Sequence, residues 1–251
     1  MKKHILSAVA ILVIGLGISS CSDYLSVERF FKDRQSEEKI FKSKNFTEQW
    51  LAKCYNCLLE TNLEITRIGY STTNFADDMI FNESDGAVTY NAFKFGQYDN
   101  TWTNNSYIRC YEGIRQASIL INNIDINEVE IADYKAQARF LRSYFYWLLL
   151  RKYGPVPLIP EETISIDEDY MDMSYPRSSY DEVVNYISEE MALAARSLPE
   201  KRDRQNVNRS TKGAALAVRA KVLLYTASPI NNPRPGDSDK FSDFTDWQGR
   251  M

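Results

Sequence analysis

Apolar positions recur with a helical period in five stretches of the chain and lose that period between them. Phe46, Trp50, Cys54 and Leu58 fall four apart, a spacing that lines up side chains on one helix face and predicts a first helix over about 45–59. Asn105 and Ser106 offer capping oxygens to free backbone N–H groups ahead of Tyr107, Tyr111, Ile114, Ala117, Ile121 and Ile124, which predict a second helix. A third, over about 131–152, carries Tyr134, Ala138, Leu141, Phe145 and Leu148 on one face. Gly154-Pro155-Val156-Pro157 ends it, because proline cannot donate to the helix ladder and restricts the residue before it. Ser179-Tyr180-Asp181-Glu182 has the spacing of a capping box, so Val183 or Val184, Ile187, Met191, Ala194 and Leu198 read as the inward face of a fourth helix that ends at Pro199. A fifth runs from Ser210-Thr211 to Ala227 and stops before Pro229. Its small residues, Ala214, Ala215, Ala217 and Ala220, would let a neighbouring backbone approach closely.

The second and third helices, then the fourth and fifth, are expected to form two antiparallel pairs, each with its apolar stripe facing its mate. Lys135, Ala138 and Arg142 are matched by Lys212, Ala215 and Arg219, each 77 positions on. With the paired layout, this match predicts an all-α fold of tetratricopeptide-like helix pairs carrying long irregular insertions, in which each pair buries the next. Residues 61–103 form the longest insertion, and loops of that length without helical period are commonly functional. From Pro229 to Met251 no periodic helix is read, so 229–251 is assigned as an irregular tail after a helical-repeat domain at 45–228. A solenoid end normally needs a polar cap. Without one after the fifth helix, residues 21–251 are expected to expose a hydrophobic face, self-associate or depend on further chain.

The N-terminus has a different character. Lys2 and Lys3 precede an apolar run from Ile5 to Ile18, the layout of an export signal and shorter than the ~20 residues that span a bilayer. Ile18-Ser19-Ser20-Cys21 follows at once and looks like a bacterial lipobox, in which Cys21 is acylated and the chain is cut before it. An ordinary signal-peptidase site with a chance cysteine is disfavoured, because Cys21 sits where the apolar run ends. Residues 1–20 are therefore assigned as a lipoprotein signal peptide and 21–44 as an anchor and tether.

This cut changes the chemistry open to the protein. His4 is the only histidine in the sequence, so a mature chain starting at Cys21 has no imidazole for a Ser-His-Asp or Cys-His device or a His-containing zinc site. Thirty basic residues against 34 acidic ones give a net charge of -4, which disfavours binding to nucleic acid. At 44% apolar and 25% charged, 251 residues are enough to bury a sizeable core. Cys54-x-x-Cys57 and Cys110 fall short of a four-thiolate metal site, and Cys54 lies on a predicted buried stripe as a small hydrophobe. A disulfide from Cys110 to Cys54 or Cys57 stays open.

Longer motifs carry a family resemblance. Ala138-Arg139-Phe140-Leu141-Arg142-Ser143-Tyr144-Phe145-Tyr146, Leu150-Arg151-Lys152-Tyr153-Gly154-Pro155-Val156-Pro157-Leu158-Ile159 and Arg209-Ser210-Thr211-Lys212-Gly213-Ala214-Ala215-Leu216-Ala217 resemble the SusD/RagB signature. So do Ala220-Lys221-Val222-Leu223-Leu224-Tyr225 and the lipobox followed by Asp23-Tyr24-Leu25. The resemblance implies an outer-membrane lipoprotein, facing the cell surface, that captures glycans or other nutrients and passes them to a SusC-like TonB-dependent transporter. It implies a tetratricopeptide scaffold with binding loops and no enzymatic activity or cofactor. The family is about twice this length, so the chain resembles its N-terminal half.

Glycan binding needs flat aromatic faces and groups that hydrogen-bond hydroxyls. Residues 69–105 supply Tyr70, Asn74, Asn82 and Tyr90, and the candidate ligand-binding set is Asp77, Asp78, Tyr98, Asn100 and Trp102. Trp102, just before the second helix, also reads as a core residue packing the helix start, and Asp77-Asp78 as loop-fixing carboxylates. Adjacent carboxylates could serve glycoside hydrolysis, but a helix-pair solenoid is commonly a binding scaffold, so a hydrolase is the least favoured reading. A lipid-anchored helical-repeat scaffold that binds only protein is the main alternative. Arg139 and Arg142 are expected to pair with acidic residues of neighbouring helices. No metal-ligand cluster or phosphate loop is read.

Overall fold

The computed structural model describes residues 40–58, 96, 106–126, 130–162, 175–229 and 231. Five long helices account for most of them: α1 (Lys44–Asn56), α2 (Ser106–Asn123), α3 (Ile131–Tyr153), α4 (Tyr180–Ser197) and α5 (Lys212–Thr226). No strand occurs among the described residues. The fold is all-α, as the periodicity predicts.

Helix ends follow the expected chemistry. Ser179 Oγ accepts from Glu182 N while the Glu182 carboxylate accepts from Ser179 N at 2.7 Å, completing the capping box of α4. Thr211 Oγ1 accepts from Ala214 N at the start of α5. Gly154 closes α3 at φ 67, ψ -140, a backbone that a side chain would strain, and Pro155 prevents the helix from resuming.

Hydrogen bonds fix the helix directions. Asp125 N donates to Phe41 O at 3.0 Å, Trp50 Nε1 to Gln116 O at 3.1 Å and Arg109 Nη2 to Asn56 O at 2.7 Å, so α1 and α2 run antiparallel. Arg142 Nε donates to Ser118 Oγ at 2.9 Å, and the Tyr107 and Tyr153 rings meet edge to face at 5.3 Å, so α2 and α3 do the same. Arg139 with Glu190 sets α3 against α4, and Arg219 Nε donating to Ser188 Oγ at 3.0 Å sets α4 against α5.

The two pairs do not keep their apolar stripes to themselves. α3 packs as extensively on α4 as on α2, and also touches α1 and α5. It is consequently buried on nearly all sides, with Gln137, Arg142 and Ser143 enclosed alongside Ala138, Leu141, Tyr146, Trp147 and Leu150. The predicted one-sided stripe is thus too narrow for a helix sandwiched between neighbours. In α1 the buried line is Thr47, Leu51 and Cys54, with Phe46 only half-buried, because α1 meets both α2 and α3. The alanines of α5 also behave differently from expectation. Ala215 is buried and Ala214 half-buried, but Ala217 and Ala220 face outward.

The 77-residue match is structural. Arg142 and Arg219, its two arginines, each donate from Nε to a serine hydroxyl on the preceding helix, Ser118 and Ser188. Ala138 and Ala215 are both fully buried. The same 77-residue offset matches Phe145 with Val222, and aligning Ser118 with Ser188, 70 positions on, matches Gly113 with Val183; all four are buried. A Cβ on Gly113 would meet the Phe145 ring, with Cζ at 2.5 Å, so the first pair fits a large ring against a missing side chain where the second has two valines.

Candidate functional site

Residues 59–105 connect α1 to α2, and the two ends of this insertion leave the fold side by side. Because α1 and α2 are antiparallel, Arg109 in the first turn of α2 reaches the last turn of α1 through its bond to Asn56 O. The described helix ends that flank residues 59–105 are therefore neighbours. The insertion carries Tyr70, Asn74, Asp77, Asp78, Asn82, Tyr90, Tyr98, Asn100 and Trp102, all of which lie outside the described residues, as does Cys21. Most of the tether assigned to 21–44, residues 21–39, and most of the tail, 232–251, lie outside them too.

Around that root the described residues present aromatic rings. Tyr107 tilts against Tyr111 with centroids 4.8 Å apart and meets Tyr153 edge to face, and Ile108 beside it is 67% exposed. Tyr111 continues inward to Tyr146 at 6.3 Å, and Tyr146 to Tyr186 at 5.2 Å. Sequence reasoning placed Tyr107 and Tyr111 on a core stripe and did not single out Tyr153. Their grouping depends on α2 and α3 being antiparallel, so that the start of one meets the end of the other. Burial raises the pKa of the Tyr111, Tyr146 and Tyr186 hydroxyls above the ordinary phenol value. These hydroxyls stay protonated as hydrogen-bonding groups.

Their partners form a second feature. After Gly154 the chain runs back along the helices as an extended arm, residues 155–162. Tyr111 Oη donates to Pro157 O at 2.7 Å, Ile159 N donates to Tyr146 Oη at 2.9 Å, and Arg142 Nη2 donates to Ile159 O at 2.6 Å. Leu158 N donates to Ser178 Oγ and Ser178 N to Val156 O, which ties the arm to the approach to α4. Glu161 at its far end meets Arg139 at 3.3 Å, while the other side of Arg139 holds Glu190 at 2.7 Å. Burial works against the Arg139 charge, but the Glu190 hydrogen bond and the two carboxylates outweigh it and raise its pKa.

Arg142 is 2% exposed and sits at the centre, bonded to Ser118, Tyr186 and Ile159 O and lying 5.3 Å from the Tyr186 ring centroid. Arg139 pairs with carboxylates as expected. Arg142 differs: its near partners are hydroxyls and a carbonyl, and the closest carboxylate oxygen, on Glu161, is 4.0 Å away. A buried guanidinium has five donors to satisfy, and oxygens at the right angles serve better than one distant charge.

Chemically, the described residues suit holding and positioning. Glu161 and Glu190 are tied to Arg139, so neither is placed as a general acid or base. Among the described residues no group of His, Cys, Asp or Glu could hold a metal ion, and no helix is long and apolar enough to cross a membrane. Cys54, Cys57 and Cys110 are free, buried thiols.

A family model described as "SusD-like_3: Starch-binding associating with outer membrane" matches residues 23–224. The chain belongs to the SusD/RagB family. Among solved structures it is similar to a SusD-like protein from Bacteroides fragilis, at 20% identity and a TM-score of 0.57 over 76% of this chain and 36% of that one. A laminarin-binding SusD-like protein matches at 21% identity and 0.58 over 80% and 46%. Surface glycan-binding protein A from Bacteroides uniformis matches at 20% and 0.57 over 76% and 44%. This chain thus spans less than half the length of these solved relatives, and the likeness shows the fold. No curated protein matches the sequence. Within the SusD/RagB fold the signature residues quoted above become legible: Arg139, Arg142 and Tyr146 hold the arm that Gly154-Pro155-Val156-Pro157 begins.

Proposed function

We propose that this SusD/RagB protein is a glycan-binding lipoprotein, anchored in the outer membrane through Cys21 and facing the cell surface, that delivers its ligand to a SusC-like TonB-dependent transporter. The family match over residues 23–224 carries this reading. The signal-like N-terminus ending at Cys21 supports the anchor. The insertion at 59–105 supports the binding role, because its aromatic, amide and carboxylate residues are what sugar recognition uses and tyrosines cluster beside it at Tyr107, Tyr111 and Tyr153. The Bacteroides uniformis surface glycan-binding protein and the laminarin-binding relative support the ligand class. Binding without turnover is proposed, with Asp77 and Asp78 fixing the loop or bonding hydroxyls and Tyr98, Asn100 and Trp102 contacting ligand.

The test is affinity electrophoresis of the mature chain, residues 21–251, in gels containing starch or laminarin, with a reducing-sugar assay in parallel. Retarded migration without sugar release is expected, and Tyr98→Ala and Trp102→Ala should weaken it. If a folded chain runs unretarded in these gels and is silent on a broad glycan array, the carbohydrate reading fails and the protein-binding scaffold takes its place. Sugar release abolished by Asp77→Asn or Asp78→Asn would make it a hydrolase. For the anchor, Cys21→Ser should move the protein from membrane to soluble fractions, since acyl chains contribute about 0.8 kcal/mol per buried CH₂. Retention on membranes after a high-salt wash would defeat that part.

A further inference from the structure

Three cysteines gather on the seam between α1 and α2. Cys54 and Cys57 lie about one turn apart at the end of α1, where Cys57 is the C-cap residue, and Cys110 stands near the start of α2. Trp50 Nε1 bonds Gln116 O and Arg109 Nη2 bonds Asn56 O, so positions 50 to 56 on α1 run against 116 back to 109 on α2. This register sets Cys110 level with the turn from Cys54 to Cys57. Cys54 and Cys110 are fully buried, Cys57 is 3% exposed, and all three are free thiols. Cys57 raises the pKa of both Cys54 and Cys110, so its sulfur is near each of them.

We propose that Cys57 and Cys110 form a disulfide site that closes α1 onto α2, at the helix ends flanking residues 59–105, by exchange with a small-molecule disulfide. A bond within α1 is disfavoured by helix geometry: Cβ atoms three residues apart stand about 5–6 Å from each other, and a disulfide spans about 3.5–4.5 Å. As the partner of Cys110, Cys57 is favoured over Cys54 because it lies at the helix end, where fraying starts, and is the least enclosed of the three. The Cys57 thiolate attacks one sulfur of the small disulfide and expels the other as a thiolate, leaving a mixed disulfide. The Cys110 thiolate then attacks the Cys57 sulfur and expels the second small thiolate. Two protein thiols are oxidised, one small disulfide is reduced to two thiols, and the protons lost by Cys57 and Cys110 end on those thiols. The bond would enclose residues 58–109 and fix the spacing of the helix ends beside the insertion, whatever the protein binds. Its chemistry rests on the seam alone, and export, as read from Ile5 to Ile18, would supply oxidising surroundings.

The Cys21→Ser chain, which keeps only the three seam thiols, tests it. Folded protein is held with excess oxidised glutathione, then denatured, alkylated and mapped by mass spectrometry. A linked Cys57–Cys110 peptide with Cys54 alkylated is expected. The oxidised chain should unfold at higher urea, with its unfolding constant lowered by about 30- to 1,000-fold, the range of typical disulfide stabilisation, and dithiothreitol should reverse the shift. Cys54→Ala should keep both results, and Cys110→Ala should lose both. A stable glutathione adduct on Cys57 with no second bond, recovery of all three thiols after prolonged exposure, or a link that uses Cys54 would each overturn the proposal. So would a Cys57–Cys110 link that lowers the urea midpoint, since such a bond would form only by distorting the seam.

Discussion

The first helix pair, α2–α3, and the second, α4–α5, share a pattern and differ in what surrounds it. Arg142 and Arg219 make the same bond to a serine on the preceding helix, yet Arg142 is buried with three hydrogen-bonded partners whereas Arg219 is half-buried with one bond to Ser188. Leu150 is 2% exposed, and its counterpart Ala227 is open to solvent. Sequence equivalence sets the contact within a pair, and position in the stack sets how much that contact is worth. A polar residue costs little where its helix face is open, as on α5 among the described residues, and must be fully satisfied between two packed neighbours.

Replacing the first arginine tests this most severely. Arg142→Ala leaves Ser118, Tyr186 and Ile159 O without their donor and frees the arm. Loss of one member of such a buried polar network costs about 3–5 kcal/mol, read as the shift in urea midpoint at unchanged slope. Hydrogen exchange should quicken first in residues 156–161. A loss below about 1 kcal/mol would mean that the arm is held by its other partners, Tyr111, Tyr146, Arg139 and Ser178.

Packing provides the second test. Gly113→Ala drives a Cβ against the edge of the Phe145 ring, and overpacking of a fitted core costs about 1–3 kcal/mol. The second pair solves the same position with Val183 and Val222. The double variant Gly113→Val with Phe145→Val should therefore be more stable than the sum of its single variants predicts. If the two changes simply add, the pairs are not equivalent at this position.

Arg219→Ala is the milder counterpart of the first test. With one hydrogen bond lost at the half-buried edge of the second pair, about 1 kcal/mol is expected. Equal losses for Arg142→Ala and Arg219→Ala would refute the claim that stack position governs the outcome.

Much of this contrast was legible in the sequence. Helix number, order and most boundaries follow from apolar spacing and from caps such as Ser179 and Gly154, because these signals are local. The Arg142–Arg219 match was visible too. The full burial of α3 and the openness of Ala217 and Ala220 were not, since a stripe records that a face is apolar but not whether one neighbour or two will cover it. The arm was hidden for a related reason: its partners, Tyr111, Arg142 and Tyr146, read as core or ion-pair residues until the backbone of 156–161 lies against them. The expected ligand residues, Asp77 to Trp102, carry residue types without periodicity. Their chemistry can be read from sequence and their geometry cannot.

The smallest effect concerns the seam between α1 and the first pair, which holds Cys54, Cys57 and Cys110, while the second pair has no cysteine. Burial pushes Cys54 and Cys110 up from 9.0 to about 12, with the neighbouring Cys57 adding to the rise for each. An acid whose folded pKa is raised keeps its proton longer when folded than when unfolded. Stability from these thiols is therefore fully present below about pH 9, the unfolded value. Between pH 9 and about 12 the unfolded chain releases protons that the folded chain retains, so stability falls as pH rises through that window. Urea midpoints at a series of alkaline pH values should show this decline, and Cys54→Ala or Cys110→Ala should flatten it while changing little else in its shape. The native thiols should also alkylate slowly at pH 8, because little thiolate is present and the sulfurs are enclosed. Rapid alkylation of Cys54 in the folded protein, or an alkaline decline indifferent to both substitutions, would show that this seam opens more readily than its burial implies.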